Sequence, residues 1–212
     1  MGKGYLLVEG HGELGAVDNL ISRLTTDRGR PLTWAPARRW LNLHQRTGIQ
    51  RAANRIRAER DAEALLILRD EDDACPAQRA PAMARWLAEL RLPFPAAIVL
   101  LHPEYEVLFL PCIDRMAGKP LGTGAAARPG LLSGARWEGG WEARRGIKEW
   151  LTQQFPAHRS YKPTLDQLPL TRMIDLPTLR RAGVPCFDTL ERALAFLRER
   201  GAGDVYPPTG RD

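Results

Sequence analysis

With 212 residues, 44% of them hydrophobic, the chain is long enough to bury one substantial core, and none of its apolar runs approaches the roughly 18 to 20 residues of a membrane-spanning helix. The formal charge of +6 permits an acidic partner without requiring one, and only four of the 31 cationic residues are lysine (Lys3, Lys119, Lys148 and Lys162), an arginine bias that base composition alone can produce. The three distant cysteines, Cys75, Cys112 and Cys186, suggest neither a disulfide framework nor a zinc knuckle and read as buried small hydrophobes, and with no cleavable leader the expectation is a soluble cytoplasmic protein without a membrane partner.

Tyr5-Leu6-Leu7-Val8 reads as a strand that stops at a turn, Glu9-Gly10-His11-Gly12. From Glu13, Val17, Leu20, Ile21 and Leu24 recur at helical spacing. Leu32 to Ala35 is a candidate second strand, and Ile49, Ala52, Ala53 and Ile56 mark a helix whose other faces carry arginine. Ala64 to Leu68 is wholly apolar, as a parallel strand covered on both faces must be, and it ends in Asp70-Glu71-Asp72-Asp73. Pro76 opens a helix with Met83, Trp86, Leu87 and Leu90, and a last buried strand, Ala97 to Leu101, leads to His102-Pro103-Glu104-Tyr105-Glu106. This alternation predicts an α/β core with a mostly parallel sheet and helices on both faces over residues 1–115. A Gly/Pro-rich insertion loop (116–142), a helical cap (143–203) with helices near Ile147–Phe155, Leu176–Ala182 and Leu190–Leu197, and a tail (204–212) follow. Trp137, Trp141 and Trp150 read as anchors for the insertion.

Three acidic groups therefore stand behind three strands: Glu9 with Glu13, Asp70 with Asp72 and Asp73, and Glu104 with Glu106. Parallel strands end at one edge, which is where open α/β folds bind ligands. Crowded carboxylates repel, so protonation, arginines or a hard divalent cation must offset the charge.

These residues resemble a known family. Val8-Glu9-Gly10 with Glu13 resembles the first motif of the Toprim superfamily, Asp70-Glu71-Asp72 is similar to its Asp-x-Asp motif, and Glu104-Tyr105-Glu106 is similar to the late acidic pair of the OLD (overcoming lysogenization defect) nuclease branch. The resemblance covers roughly residues 3–115 and extends weakly to Tyr161-Lys162-Pro163 and Pro185-Cys186-Phe187. It is closest to small stand-alone Toprim-like bacterial proteins encoded beside an ATPase. It implies a Toprim-like fold and a Mg²⁺- or Mn²⁺-dependent nuclease acting on DNA or RNA, with two metal ions as the expected number. By the resemblance Glu9, Glu13, Asp70, Asp72, Glu104 and Glu106 are metal ligands, Glu9 and Asp70 are catalytic, and Lys162 is a catalytic lysine. An ATPase partner and a role in anti-phage defence are implied as well, and self-association is left open. Arg38, Arg39, Arg46, Arg51 and Arg55, with Trp40 and His44 interleaved, form a candidate nucleic-acid face. The rival readings are a non-catalytic Toprim-like adaptor for the ATPase, and a receiver-like or phosphatase domain, which also gathers acids at strand ends. Against the latter, Asp72 lacks the Thr or Val that one phosphatase motif places two positions on.

Overall fold

A computed structural model describes residues 2–26, 32–142 and 145–209. Residues 143–144 of the expected cap and 210–212 of the expected tail lie outside it. Five strands, β1 (Lys3–Val8), β2 (Arg38–Arg39), β3 (Ala62–Asp70), β4 (Ala96–Leu101) and β5 (Val205–Tyr206), form one sheet in the order β2-β1-β3-β4-β5, every neighbouring pair parallel.

The apolar runs at the centre form strands because both faces of the sheet are covered. Leu6, Val8, Leu66, Leu68, Val99 and Leu101 face one core. Tyr5, Leu7, Leu65, Ile67, Ile98 and Leu100 alternate with them into the other. On the second face lie α2 (Arg46–Arg57), through Ile49, Ala52, Ala53 and Ile56, and α3 (Pro76–Ala88), through Ala80, Met83 and Leu87. The first face is covered by α1 (Glu13–Thr26) and by a C-terminal group: α5 (Ile147–Gln154), α6 (Leu168–Met173), α7 (Leu176–Ala182) and α8 (Pro185–Glu199). A 3-10 helix, Tyr105–Cys112, and the short α4 (Ile113–Met116) complete that layer. Arg23 of α1 ties it together by donating to the carbonyls of Thr171 and Ile174 at 2.9 and 2.5 Å.

The α/β class, the parallel sheet and the helical C-terminal part are as expected. Three local expectations are corrected. Leu32–Ala35 supplies only an isolated bridge, Trp34 to Gly4, because the second strand is the pair Arg38–Arg39. The expected tail contains β5, which is held parallel to β4 at Ala96 and Ala97. Cys75 is exposed just ahead of Pro76 and is no core residue, whereas Cys112 and Cys186 are buried. The insertion carries little regular structure but buries Leu121, Leu131 and Ala135. The ring of Trp137 packs edge-on against Trp150, with centroids 5.0 Å apart, and the Trp141 indole donates to Ala182 O at 2.8 Å.

Candidate functional site

The strand register fixes which acids can meet. Leu7 is level with Ile67, and Asp70 with Leu101, so β1, β3 and β4 all deliver their carboxyl ends to one edge. There Oδ1 of Asp70 accepts a hydrogen bond from the Tyr105 backbone N–H at 2.8 Å, pinning the end of β3 to the turn after β4. That turn brings in Glu104 and Glu106, both buried, and the first turn of α1 brings in buried Glu13.

The cation among these acids is Lys148, from the first turn of α5. Its Nζ lies 2.8 Å from Glu104 Oε2 and 3.5 Å from both Asp70 Oδ2 and Glu106 Oε2. Gly146, at φ 75°, starts α5 in a conformation that side-chain-bearing residues rarely adopt. The Lys148 backbone N–H, one of the donors a helix leaves unpaired at its start, then donates to Glu104 Oε1 at 3.0 Å.

A π-helical turn, Pro163–Gln167, closes the far side. The Tyr161 hydroxyl just ahead of it donates to Glu106 Oε1 at 2.7 Å, and the Gln167 amide donates to the same oxygen at 3.3 Å. Close approach of this turn to the loop after β1 requires Gly12, where a Cβ would stand 2.7 Å from the Pro163 carbonyl carbon and 2.8 Å from Gln167 Oε1. The buried Oε2 atoms of Glu13 and Glu106 have no hydrogen-bond partner.

Burial pushes the Glu13 carboxyl up to about 8, with the charges of Asp70 and Glu106 adding to the shift and Lys148 opposing it. Burial likewise raises Glu106 to about 8 and Asp70 to about 6 against the pull of Lys148. Burial works against the Lys148 charge, but Glu106, Asp70 and Glu104 hold its pKa above the ordinary lysine range. The Tyr161 phenol is pushed up by burial and by Glu106, so it stays a donor.

Three sequence-predicted residues stand elsewhere. Glu9 does not join this cluster: Arg69, one position before Asp70 on β3, donates from Nε to Glu9 Oε2 at 2.9 Å, and the Leu43 N–H donates to Oε1 at 2.6 Å. The same guanidinium binds Glu71 Oε2 at 2.6 Å, so an alternating chain of charge runs along the sheet edge beside the pocket. Lys162 is exposed and makes no ion pair with any acid among the described residues. The lysine at the site is Lys148. Asp72 is also exposed, although its charge bears on Asp70.

The arginines divide. Arg38 pairs with Glu59 at 2.7 Å and lies over the Tyr5 ring, Arg39 donates to Glu9 O at 3.0 Å, and Arg46 pairs with Glu89. Arg51 and Arg55 are exposed on α2, Arg55 with a loose contact to Glu59 at 3.8 Å.

As arranged, no group of three or more acidic, histidine or cysteine side chains among the described residues forms a ready metal cage. The donor set nonetheless suits a hard cation: it is all oxygen, two of its oxygens lack hydrogen-bond partners, and an ammonium stands among three of its carboxylates. Among the described residues no helix is long and apolar enough to cross a membrane. Comparisons with curated proteins and with solved structures found no match. One family pattern does match, over residues 8–195, a span that holds every residue of the acid pocket, and the chain belongs to that family, described as Domain of unknown function (DUF4276).

Proposed function

We propose that the acid pocket binds Mg²⁺ or Mn²⁺ and that the protein is a metal-dependent nuclease acting in the cytoplasm. The observation that carries this reading is the convergence of Glu13, Asp70, Glu104 and Glu106 at the carboxyl edge of a parallel sheet, with one ammonium to balance them. These four are the residues that would hold metal. A bound divalent cation there would activate water and neutralise charge on a phosphodiester. The protein's own part is to keep the ligands aimed: Tyr105 N–H holds Asp70, Lys148 N–H holds Glu104, and Tyr161 and Gln167 hold Glu106. The exposed Arg51 and Arg55 offer a phosphate-binding face on α2.

A second reading, an adaptor for an ATPase partner, is favoured by the state of Glu9 and Lys148. Both are engaged in ion pairs in the isolated chain, which suits a non-catalytic site that binds metal or nucleic acid without cutting it. Titration calorimetry of the metal-free protein with Mn²⁺, followed by incubation with plasmid DNA and with RNA, tests both. Metal binding with hydrolysis supports the nuclease. Metal binding without hydrolysis, even beside the partner, leaves the adaptor, and no metal binding removes the site.

A further inference from the structure

The acid pocket already contains a cation, and it belongs to the chain. Lys148 Nζ touches Glu104, Asp70 and Glu106, which are three of the four groups assigned above to a metal. An ammonium and a divalent ion need the same oxygens, and two cations sharing one poorly hydrated pocket repel.

We propose that Lys148 is a displaceable internal counter-ion, which fills the acid pocket in the metal-free protein and leaves it when a divalent cation binds. The inference rests on the metal-binding reading above. Three features of the geometry support it. The lysine is tethered twice but by separable bonds: its backbone N–H holds Glu104 Oε1 at 3.0 Å whether or not the side chain stays, so α5 remains docked when the ammonium departs. The side chain has a way out, being 36% exposed where Glu104 and Glu106 are 8% and 0% exposed, and its four-carbon stem is flexible. The fit is also incomplete. Two of its three contacts are at 3.5 Å, longer than a good charge-assisted hydrogen bond, and the buried Oε2 of Glu13 has no partner at all. A divalent ion carries more charge to the same oxygens.

Metal uptake is then an exchange, and the affinity measured on the native chain is weaker than the carboxylates alone would give. Only four lysines are present, so each can be followed separately. The experiment is reductive methylation of the intact protein, read lysine by lysine by mass spectrometry across a Mn²⁺ titration, with calorimetry on the wild type, Lys148→Met and Lys162→Met. Lys148 should label slowly without metal and at least about fivefold faster at saturation, with a midpoint matching the calorimetric Kd, as expected when an ion pair is exchanged for water. Lys119 and Lys162 should not change. Lys148→Met should bind Mn²⁺ at least about tenfold more tightly, since a competing cation is gone, and Lys162→Met should bind as the wild type does. Lys148 labelling that stays slow while calorimetry reports bound Mn²⁺, or a Lys148→Met protein that binds no more tightly, overturns the displacement and leaves the metal site standing. Absence of Mn²⁺ binding in both wild type and Lys148→Met overturns both. If Lys148→Met fails to fold, the labelling of the wild type decides alone.

Discussion

Lys148 holds the Glu104 carboxylate by both oxygens, the ammonium at 2.8 Å from Oε2 and the backbone N–H at 3.0 Å from Oε1. Losing the ammonium leaves the acids around it without a cation, and they must then take up protons or repel one another. Metal-free Lys148→Met should therefore melt below the wild type, and by several degrees more at pH 8 than at pH 5, where Asp70 and Glu106 are mostly protonated. Scanning calorimetry at the two pH values checks this. An equal deficit at both would mean that the lysine stem packs and its charge does not matter.

The wild type should itself lose stability across that range. Glu13 and Glu106 titrate near 8 in the folded protein and Asp70 near 6, chiefly through burial, against ordinary carboxyl values when unfolded. A folded carboxyl pKa raised above its unfolded value means that the native state binds more protons between the two. That contribution is fully present below about pH 4, declines as pH rises through 6, and is gone above 8. Lys148, whose pKa is raised, stays charged throughout and does not reverse the trend. Saturating Mn²⁺ should replace the protons and flatten the decline. At a hundredfold excess over Kd it should add roughly 2.7 kcal/mol, or some 5–10 °C, at pH 8. A melting temperature that rises with pH in metal-free protein would contradict the protonation states described here.

The far wall of the pocket rests on one close approach. Gly12→Ala would place a Cβ 2.7 Å from the Pro163 backbone, so the π-helical turn has to move. We expect a loss of about 1–3 kcal/mol in urea denaturation, typical of overpacking. Tyr161→Phe removes only the hydrogen bond to Glu106 Oε1, leaves Gln167 on that oxygen, and should cost roughly 1–2 kcal/mol without moving the turn. If Gly12→Ala is neutral, the turn does not pack as described.

Much of the fold is legible in the sequence. The wholly apolar runs at Ala64–Leu68 and Ala97–Leu101 have the pattern expected of strands covered on both faces and lie in β3 and β4, and Leu176–Ala182 is a helix over the very span its pattern marks. The edge strands are not legible, because Arg38–Arg39 and Val205–Tyr206 are too short to show a period. At the site, the sequence presents the acids but not their orientation. Glu9 and Glu13 differ in outcome because the register sets Arg69 beside Glu9, and a guanidinium captures the nearer carboxylate. Lys148 escapes a sequence reading since no motif surrounds it. One signal is present: a rare lysine in the first turn of a helix opposes the helix dipole and needs acids from elsewhere.

The basic face makes a separate prediction. Arg51 and Arg55 share one side of α2 and project to solvent, whereas Arg38 and Arg46 are bound to Glu59 and Glu89. Reversing both to Glu should weaken binding to any nucleic acid and reduce the slope of log affinity against log salt by about 2, roughly one unit for each phosphate that is no longer neutralised. Arg38→Ala should instead reduce thermal stability, since it frees Glu59 and uncovers Tyr5. An unchanged salt slope in the double reversal would leave Arg51 and Arg55 as a solvated helix face.

Catalysis supplies the most demanding prediction, because the acids inside the pocket and those beside it should behave differently. Asp70→Asn and Glu13→Gln each remove a carboxylate from the cluster while keeping its shape, and nicking of plasmid DNA by the Mn²⁺-loaded protein should fall at least about a hundredfold, as when a metal-site ligand is removed. Glu104→Gln should do the same and also loosen α5, since it disturbs the acceptor of the Lys148 N–H. Glu9→Gln is the discriminating variant. Its carboxylate is tied to Arg69 and to the Leu43 N–H, so its loss should leave Mn²⁺ affinity within about threefold of wild type and lower activity, if at all, through the Arg69–Glu71 chain. Lys162→Ala should cut at the wild-type rate, since that side chain is exposed and paired with none of the acids. A Glu9→Gln protein that loses Mn²⁺ binding as completely as Asp70→Asn would show that Glu9 leaves Arg69 to join the metal, and the pocket would then comprise five acids in its working state. Cutting that persists in both Asp70→Asn and Glu13→Gln would place the chemistry outside this pocket altogether.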